Sequence, residues 1–161
     1  MTRSNLTPHA YVDACRHYLG TKFHHQGRSG SRGLDCIGLC VLAAKDLGVA
    51  HGAERISGYG RAPQNRDFEK WAGHFSVAQP YNRLQPLREQ VQLADCVTFW
   101  IDRPGITRHI GVITEIPSTG HPHMIHSYAR ENRGVMEGPM STYWTARVTG
   151  IYRLREFCEE E

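Results

Sequence analysis

The sequence predicts an α+β domain, with N-terminal helices packed on an antiparallel β-sheet. Three observations predict it. Apolar residues recur at helical spacing in the first third of the chain, between Pro and Gly boundaries. From residue 96 onward the pattern changes to β-branched and aromatic runs bounded by turn residues. A length of 161 residues is one domain's worth, enough for an independent core. A single domain over residues 1–161 is expected, with its core in about residues 8–155.

The first helix is predicted over Pro8–Leu19. Pro8 suits a first turn, Tyr11, Cys15, Tyr18 and Leu19 share a face, and Gly20 stops it. A polar loop, 21–33, leads to a second helix over Cys36–Leu47. Asp35 is its N-cap, Leu39, Leu42, Ala43 and Leu47 form its buried face, and Gly48 ends it. Residues 51–65, with the patch Ser57-Gly58-Tyr59-Gly60-Arg61, read as a loop, and Asp67–Val77 as a short helix around Phe68, Trp71 and Phe75. Strands are predicted at Cys96–Ile101, Ile110–Ile113, His123–Tyr128, Gly134–Glu137 and Val148–Leu154, with a helical turn at Thr142–Ala146.

Composition removes several function classes. The net charge is a mild +3 and the arginines are scattered, so no nucleic acid partner is expected. No run approaches the ~18 apolar residues of a membrane span, so no membrane insertion is expected. Met1–Pro8 has no apolar signal core, which predicts synthesis in the cytoplasm without a signal peptide. Five cysteines, an odd number, argue against a disulfide framework; Cys15, Cys40 and Cys96 lie in apolar-periodic stretches and read as small buried hydrophobes.

Cys36 is different, because it falls where a helix begins. Unsatisfied N–H groups and the positive end of the macrodipole favour thiolate there, and the thiolate is the nucleophile. Such a nucleophile needs a base, and the base an orienting partner. A turn at Pro117-Ser118-Thr119-Gly120 sets His109 directly opposite His126 on one face of a hairpin, close enough to share a hydrogen bond. His121, His123 and His126 also cluster, but strand alternation divides them between faces and no Cys or acid completes a set, so no metal is expected. His24 and His25 lie in a loop that could line a cleft. Asp95 reads as an Asx-type turn before its strand. Cys40 shares a helix face with Cys36, and apolar packing is preferred there to a regulatory disulfide.

Leu34-Asp35-Cys36-Ile37-Gly38-Leu39, Leu93-Ala94-Asp95-Cys96-Val97-Thr98-Phe99, Arg108-His109-Ile110-Gly111-Val112-Ile113 and Met124-Ile125-His126-Ser127 resemble, in this order, the signature blocks of the NlpC/P60 peptidoglycan endopeptidases. The resemblance spans roughly residues 11–155. Residues 18–27, with Gly58-Tyr59-Gly60-Arg61, are similar to a branch found among tailed-phage and prophage tail proteins. It implies a papain-like α+β fold, with Cys36 as nucleophile, His109 as base and His126 as the third, orienting residue. It also implies hydrolysis of peptide bonds in peptidoglycan stem peptides, typically beside D-Glu and diaminopimelate, with no cofactor. Implied partners are other phage tail-tip proteins, and the implied place of action is the cell wall, from a virion tail.

Two positions depart from the family pattern. Phe23 stands where members often carry a Tyr whose hydroxyl serves the site, and Ile37 where many have Ser. Oxyanion support then leans on the Cys36 backbone N–H. Asp35, Phe23, His24, His25 and Gln26 are the further candidates for substrate binding or oxyanion support. Two other readings stand beside this one: a tail-tip assembly protein that keeps the fold with weak or absent activity, and a papain-like amidase or acyltransferase on another acyl substrate.

Overall fold

Thr7 opens the first helix, α1 (Pro8–Arg16): its hydroxyl accepts the Ala10 N–H and Pro8 sits in the first turn. In the computed structural model, which describes residues 6–48, 67–130 and 134–158 (Arg28 and Asp67 by backbone alone), α1 ends earlier than its spacing predicts. The N–H groups of Tyr18 and Leu19 turn back to the Cys15 and Arg16 carbonyls, three residues behind them. That tightened turn runs out to Gly20 at φ 84°.

A two-residue hairpin follows, β1 (Arg28–Ser29) with β2 (Gly33–Leu34), inside the stretch predicted as loop. Asp35 then caps α2 (Cys36–Asp46) by accepting the Gly38 N–H at 2.6 Å. Eight of the helix's eleven residues are buried, so it is a central helix enclosed on most sides rather than an amphipathic surface one. Tyr11 of α1 donates its hydroxyl to the Cys40 carbonyl at 2.9 Å, locking the two helices together.

The predicted loop at 51–65 lies outside the described residues. The helix expected over Asp67–Val77 is corrected: α3 covers Asp67–Ala72, and β3 (Ser76–Gln79) is a strand. Gly73 closes the helix, and ladder pairing with the last strand overrides the helical spacing of Phe75.

The remaining elements are β4 (Cys96–Trp100), β5 (Thr107–Glu115), β6 (His123–Tyr128), β7 (Gly134–Pro139), α4 (Thr142–Thr145) and β8 (Val148–Leu154). They form one antiparallel sheet in the order β3-β8-β4-β5-β6-β7. Four strands run as the expected meander, but β8 returns to lie between β3 and β4. One face, carrying Cys96, Ile110, Val112 and Ile125, packs under α1 and α2. The other, carrying Val97, Phe99, Ile113, Met124 and Ile151, is closed by Leu87, Val91 and Met140. The middle of β5 is therefore covered on both sides, which accounts for its nearly unbroken apolar run. Asp95, fully buried, accepts the N–H of Gln92, three residues before it, rather than one two residues on as the predicted Asx-type turn requires, and also binds Arg153 of β8 through two bonds of 2.8 and 2.9 Å. Among the described residues no helix is long and apolar enough to cross a membrane.

Candidate active site

Cys36 is placed by three anchors on the residues just before it. The Leu34 N–H donates to the Lys22 carbonyl, the Leu34 carbonyl accepts from the His24 N–H and from the Ser127 hydroxyl at 2.6 Å, and Asp35 caps the helix. The thiol then sits at the start of α2, close enough to the backbone N–H groups of Ile110, the residue after His109, and of Ile37 for both to favour its thiolate. Cys36 thus lies against β5, the strand that also carries His109.

The imidazoles of His109 and His126 meet at 2.7 Å, Nε2 to Nδ1, with ring centroids 4.9 Å apart. The register is not the predicted one. Val112 faces Ile125 and Ile113 faces Met124, with a shift before Glu115 and His123. Continued along the strands, this pairing puts Gly111, not His109, across from His126. The loop between β5 and β6 is longer than a four-residue turn, and the irregularity at its base moves the pairing. The two histidines meet diagonally instead, on the same face. Gly111 permits it: a Cβ there would lie 2.8 Å from the Met124 Sδ and 3.4 Å from the His126 Cβ.

Around the pair stands an aromatic shell that sequence reasoning missed. Trp144 of α4 stacks on His109 at 4.9 Å and 28°, and Phe99 of β4 lies 5.9 Å away on the same ring. Tyr128 stacks on His126 at 5.8 Å and 20°. Strand alternation held the signal for Tyr128, which shares a face with His126 two residues before it. Trp144 comes from a separate element and has no such signal.

Burial decides the charge state. It pushes the His109 imidazole well below its ordinary value, with the nearby His126 adding to the effect, and holds His126 down at about 4. It also pushes the Cys36 thiol well up, helped by the Asp35 carboxylate and the Cys40 thiol; the Ile110 and Ile37 N–H groups pull the other way and are outweighed. The expectation that a helix start favours thiolate is therefore corrected. The resting pair is a neutral thiol and a neutral imidazole. If His109 Nε2–H donates to His126 Nδ1, His109 Nδ1 is left as the basic nitrogen, and His126 holds that tautomer in place.

The other candidates divide. Asp35 is buried and its carboxylate serves backbone donors: Gly38 on one oxygen, Gln26 at 2.9 Å on the other. Gln26, at φ 56°, brings the loop to within one residue of the nucleophile. Phe23 and His25 are half-buried, whereas the side chains of His24 and Gln26 face outward. His24 Nδ1 lies 3.0 Å from the His25 carbonyl. Cys15, Cys40 and Cys96 are buried in the core, as their spacing predicts. His123 stands 3.5 Å from Glu115, away from the imidazole pair. Among the described residues no group of three His, Cys, Asp or Glu side chains is arranged to hold a metal ion.

No family model and no curated protein matches the chain. Solved structures do match. An NlpC/P60 family protein from Bacillus cereus superposes with a TM-score of 0.62 at 23% identity, over 92% of this chain and 40% of that one. A Staphylococcus aureus protein described as similar to a lipoprotein of the NLP/P60 family gives 0.58 at 18% identity, over 91% and 41%. The NlpC/p60 domain of the peptidoglycan hydrolase SagA gives 0.56 at 18% identity, over 92% of this chain and 100% of the domain. The fold is that of NlpC/P60 domains, and the chain spans about two fifths of the first two of these proteins.

Proposed function

We propose that this chain is a cysteine peptidase of the NlpC/P60 type that hydrolyses peptide bonds in peptidoglycan stem peptides, carried by a phage tail or encoded by a prophage. One observation carries the reading: His109 is hydrogen-bonded at 2.7 Å to His126, and the backbone of the next residue, Ile110, lies close enough to Cys36 at its helix start to act on the thiol. In this reading Cys36 is the nucleophile, His109 the base and His126 the orienting group, and SagA, whose domain shares the fold, is a peptidoglycan hydrolase. The tail setting rests on the resemblance of residues 18–27 and 58–61 to tail-associated proteins.

Because both groups rest neutral, attack and proton transfer belong to one step. As Sγ of Cys36 bonds to the amide carbonyl carbon, its proton passes to His109 Nδ1. The imidazolium so formed is stabilised through Nε2–H by His126. The oxyanion faces the first turn of α2, where the Cys36 N–H is the donor placed for it. His109 then gives its proton to the leaving amine as the C–N bond breaks. Water, deprotonated by the same nitrogen, attacks the thioester, and Cys36 leaves as the thiol. Trp144 and Phe99 keep bulk water from the imidazoles, so a proton taken from Cys36 goes to the leaving group.

Incubation with purified sacculi and mass spectrometry of the released peptides tests this. New amine and carboxyl termini within the stem peptide are expected from the wild-type chain and none from Cys36→Ala. Intact sacculi after prolonged digestion by folded wild-type protein would refute the reading.

A further inference from the structure

We infer that Arg147 is a positioning residue for the base: its guanidinium bridges the Trp100 and Tyr143 rings and so holds α4 where Trp144 fixes the plane of the His109 imidazole. The role of His109 as base rests on the peptidase reading above; the clamp itself is argued from the side chains.

The helix that carries Trp144 is poorly equipped to hold itself. α4 has four residues, none of them buried, and its N-cap, Ser141, makes no side-chain bond to it. Helices shorter than about 12–15 residues are marginal alone in water, so its place is set from its two ends. At the front, Met140 is buried and its N–H donates to the Pro122 carbonyl at 2.9 Å. Behind, the Arg147 carbonyl accepts the Trp100 N–H at 2.9 Å, which ties the end of the turn to the end of β4.

The Arg147 side chain strengthens that tie. Its guanidinium carbon lies 3.7 Å from the centroid of the Tyr143 ring and 4.5 Å from that of the Trp100 ring, and Nη1 donates to the Tyr143 carbonyl at 2.9 Å. Nε is buried and has no hydrogen-bond partner. Among the described residues no carboxylate pairs with the charge. The cation is thus committed to two ring faces and one carbonyl, one ring on β4 and the other on α4. A guanidinium suits this place, because it is planar, weakly hydrated and stacks on aromatic faces while donating in its own plane.

What the clamp holds is the next ring along. Trp144 stands edge-on to Tyr143 at 5.0 Å, stacks on His109 at 4.9 Å and 28°, and meets His126 edge-on at 5.2 Å. Phe99, the residue before Trp100, is edge-on to Trp144 at 5.0 Å and tilted against His109 at 5.9 Å. An imidazole so covered cannot turn about its Cβ–Cγ bond without displacing the indole. Its two nitrogens then keep the directions set by the 2.7 Å bond to His126. A base must be oriented as well as basic, and misplacement by about 1 Å costs on the order of 10²-fold. Arg147 acts on that orientation through Trp144.

The His109 ring protons report the stack, because protons over the face of an indole are shifted upfield. They are assigned in the NMR spectrum by their loss in His109→Gln. In Arg147→Ala at neutral pH they are expected to move downfield. Guanidinium chloride at about 50 mM, far below the molar range that unfolds proteins, should move them back by filling the vacated place over the two rings. Arg147→Met, whose stem keeps that place filled, should show the displacement without the recovery. On a stem peptide, Arg147→Ala should lower kcat about tenfold with KM within about twofold, and guanidinium should restore part of kcat. Resonances that stay at the wild-type position in Arg147→Ala overturn the proposal, as does a displacement that guanidinium leaves in place or also reverses in Arg147→Met. A loss expressed in KM alone, or failure of both variants to fold, overturns it too. The two claims fail separately. Cleavage with unmoved resonances leaves the peptidase and removes the clamp; displaced, guanidinium-restored resonances on a wild-type chain that cleaves nothing keep the clamp and remove the peptidase.

Discussion

Two neutral imidazoles in a dry site should make the fold sensitive to mild acid. His126 is 5% exposed and its imidazole is held down from 6.5 to about 4 by burial. In the unfolded chain the same ring titrates at its ordinary value, so below pH 6.5 the unfolded state binds a proton that the folded state refuses. The sign is fixed: stability is present in full at neutral pH and lost as pH falls from 6.5 towards 4. At pH 5 the loss from this one ring is about 2 kcal/mol, and it approaches about 3.4 kcal/mol once both states are protonated. His109 is shifted the same way and adds to it. The assay is urea unfolding at pH 7 and pH 5 for the wild-type chain and for His126→Asn, whose side-chain oxygen can accept the His109 Nε2–H but does not titrate. Carboxylates elsewhere contribute equally to both proteins and cancel. The wild-type chain should lose about 2 kcal/mol more than the variant, a difference of roughly 4–8 °C in melting temperature at this size. Equal losses in the two proteins would show that His126 carries no such shift, and the argument from burial would be wrong.

His109→Ala should abolish hydrolysis of a stem peptide, His126→Ala should lower kcat about 10²-fold through lost orientation of the base, and His126→Asn should recover part of that; equal loss in both His126 variants would refute the division of roles. Alkylation of Cys36 by iodoacetamide should keep accelerating beyond the ordinary thiol value of about 8.5, with no plateau between pH 6 and 8; a plateau at neutral pH would indicate a resting thiolate–imidazolium pair. Gly111→Ala should cost about 1–3 kcal/mol by crowding Met124 and His126, and should lower kcat as well as thermal stability. Asp95→Asn leaves Arg153 without its bidentate partner beneath β8 and should cost about 3–5 kcal/mol in urea unfolding.

What could be read from the sequence follows the range of the interactions. Asp35 capping Cys36 is a three-residue relation, and His123–Tyr128 and Val148–Leu154 are strands whose residue types announce them; all three stand where predicted. β3 escaped because its exposed Val77 and Ala78 break the alternation and its identity depends on β8, more than seventy residues on. The hairpin register escaped because a bulge near Glu115 is worth one or two positions and leaves no residue signature. The Cys36 thiol was misjudged for a related reason: a helix terminus is local and visible, while the depth of its burial belongs to the whole fold. Trp144 completes the site from a four-residue helix that nothing in the chain connects to His109 until both are folded.

Asp35 has a consequence for how such a site can diverge. One carboxylate holds the first turn of α2 with one oxygen and the Gln26 backbone with the other. The loop's main chain and the nucleophile are thus parts of a single rigid piece, while His24 and Gln26 display their side chains outward from it. Substitutions at those outward positions can alter what the protein recognises without disturbing the geometry of what reacts. Evolution, or an engineer, can rewrite the reading surface one side chain at a time and leave the chemistry alone, provided residue 35 stays an aspartate.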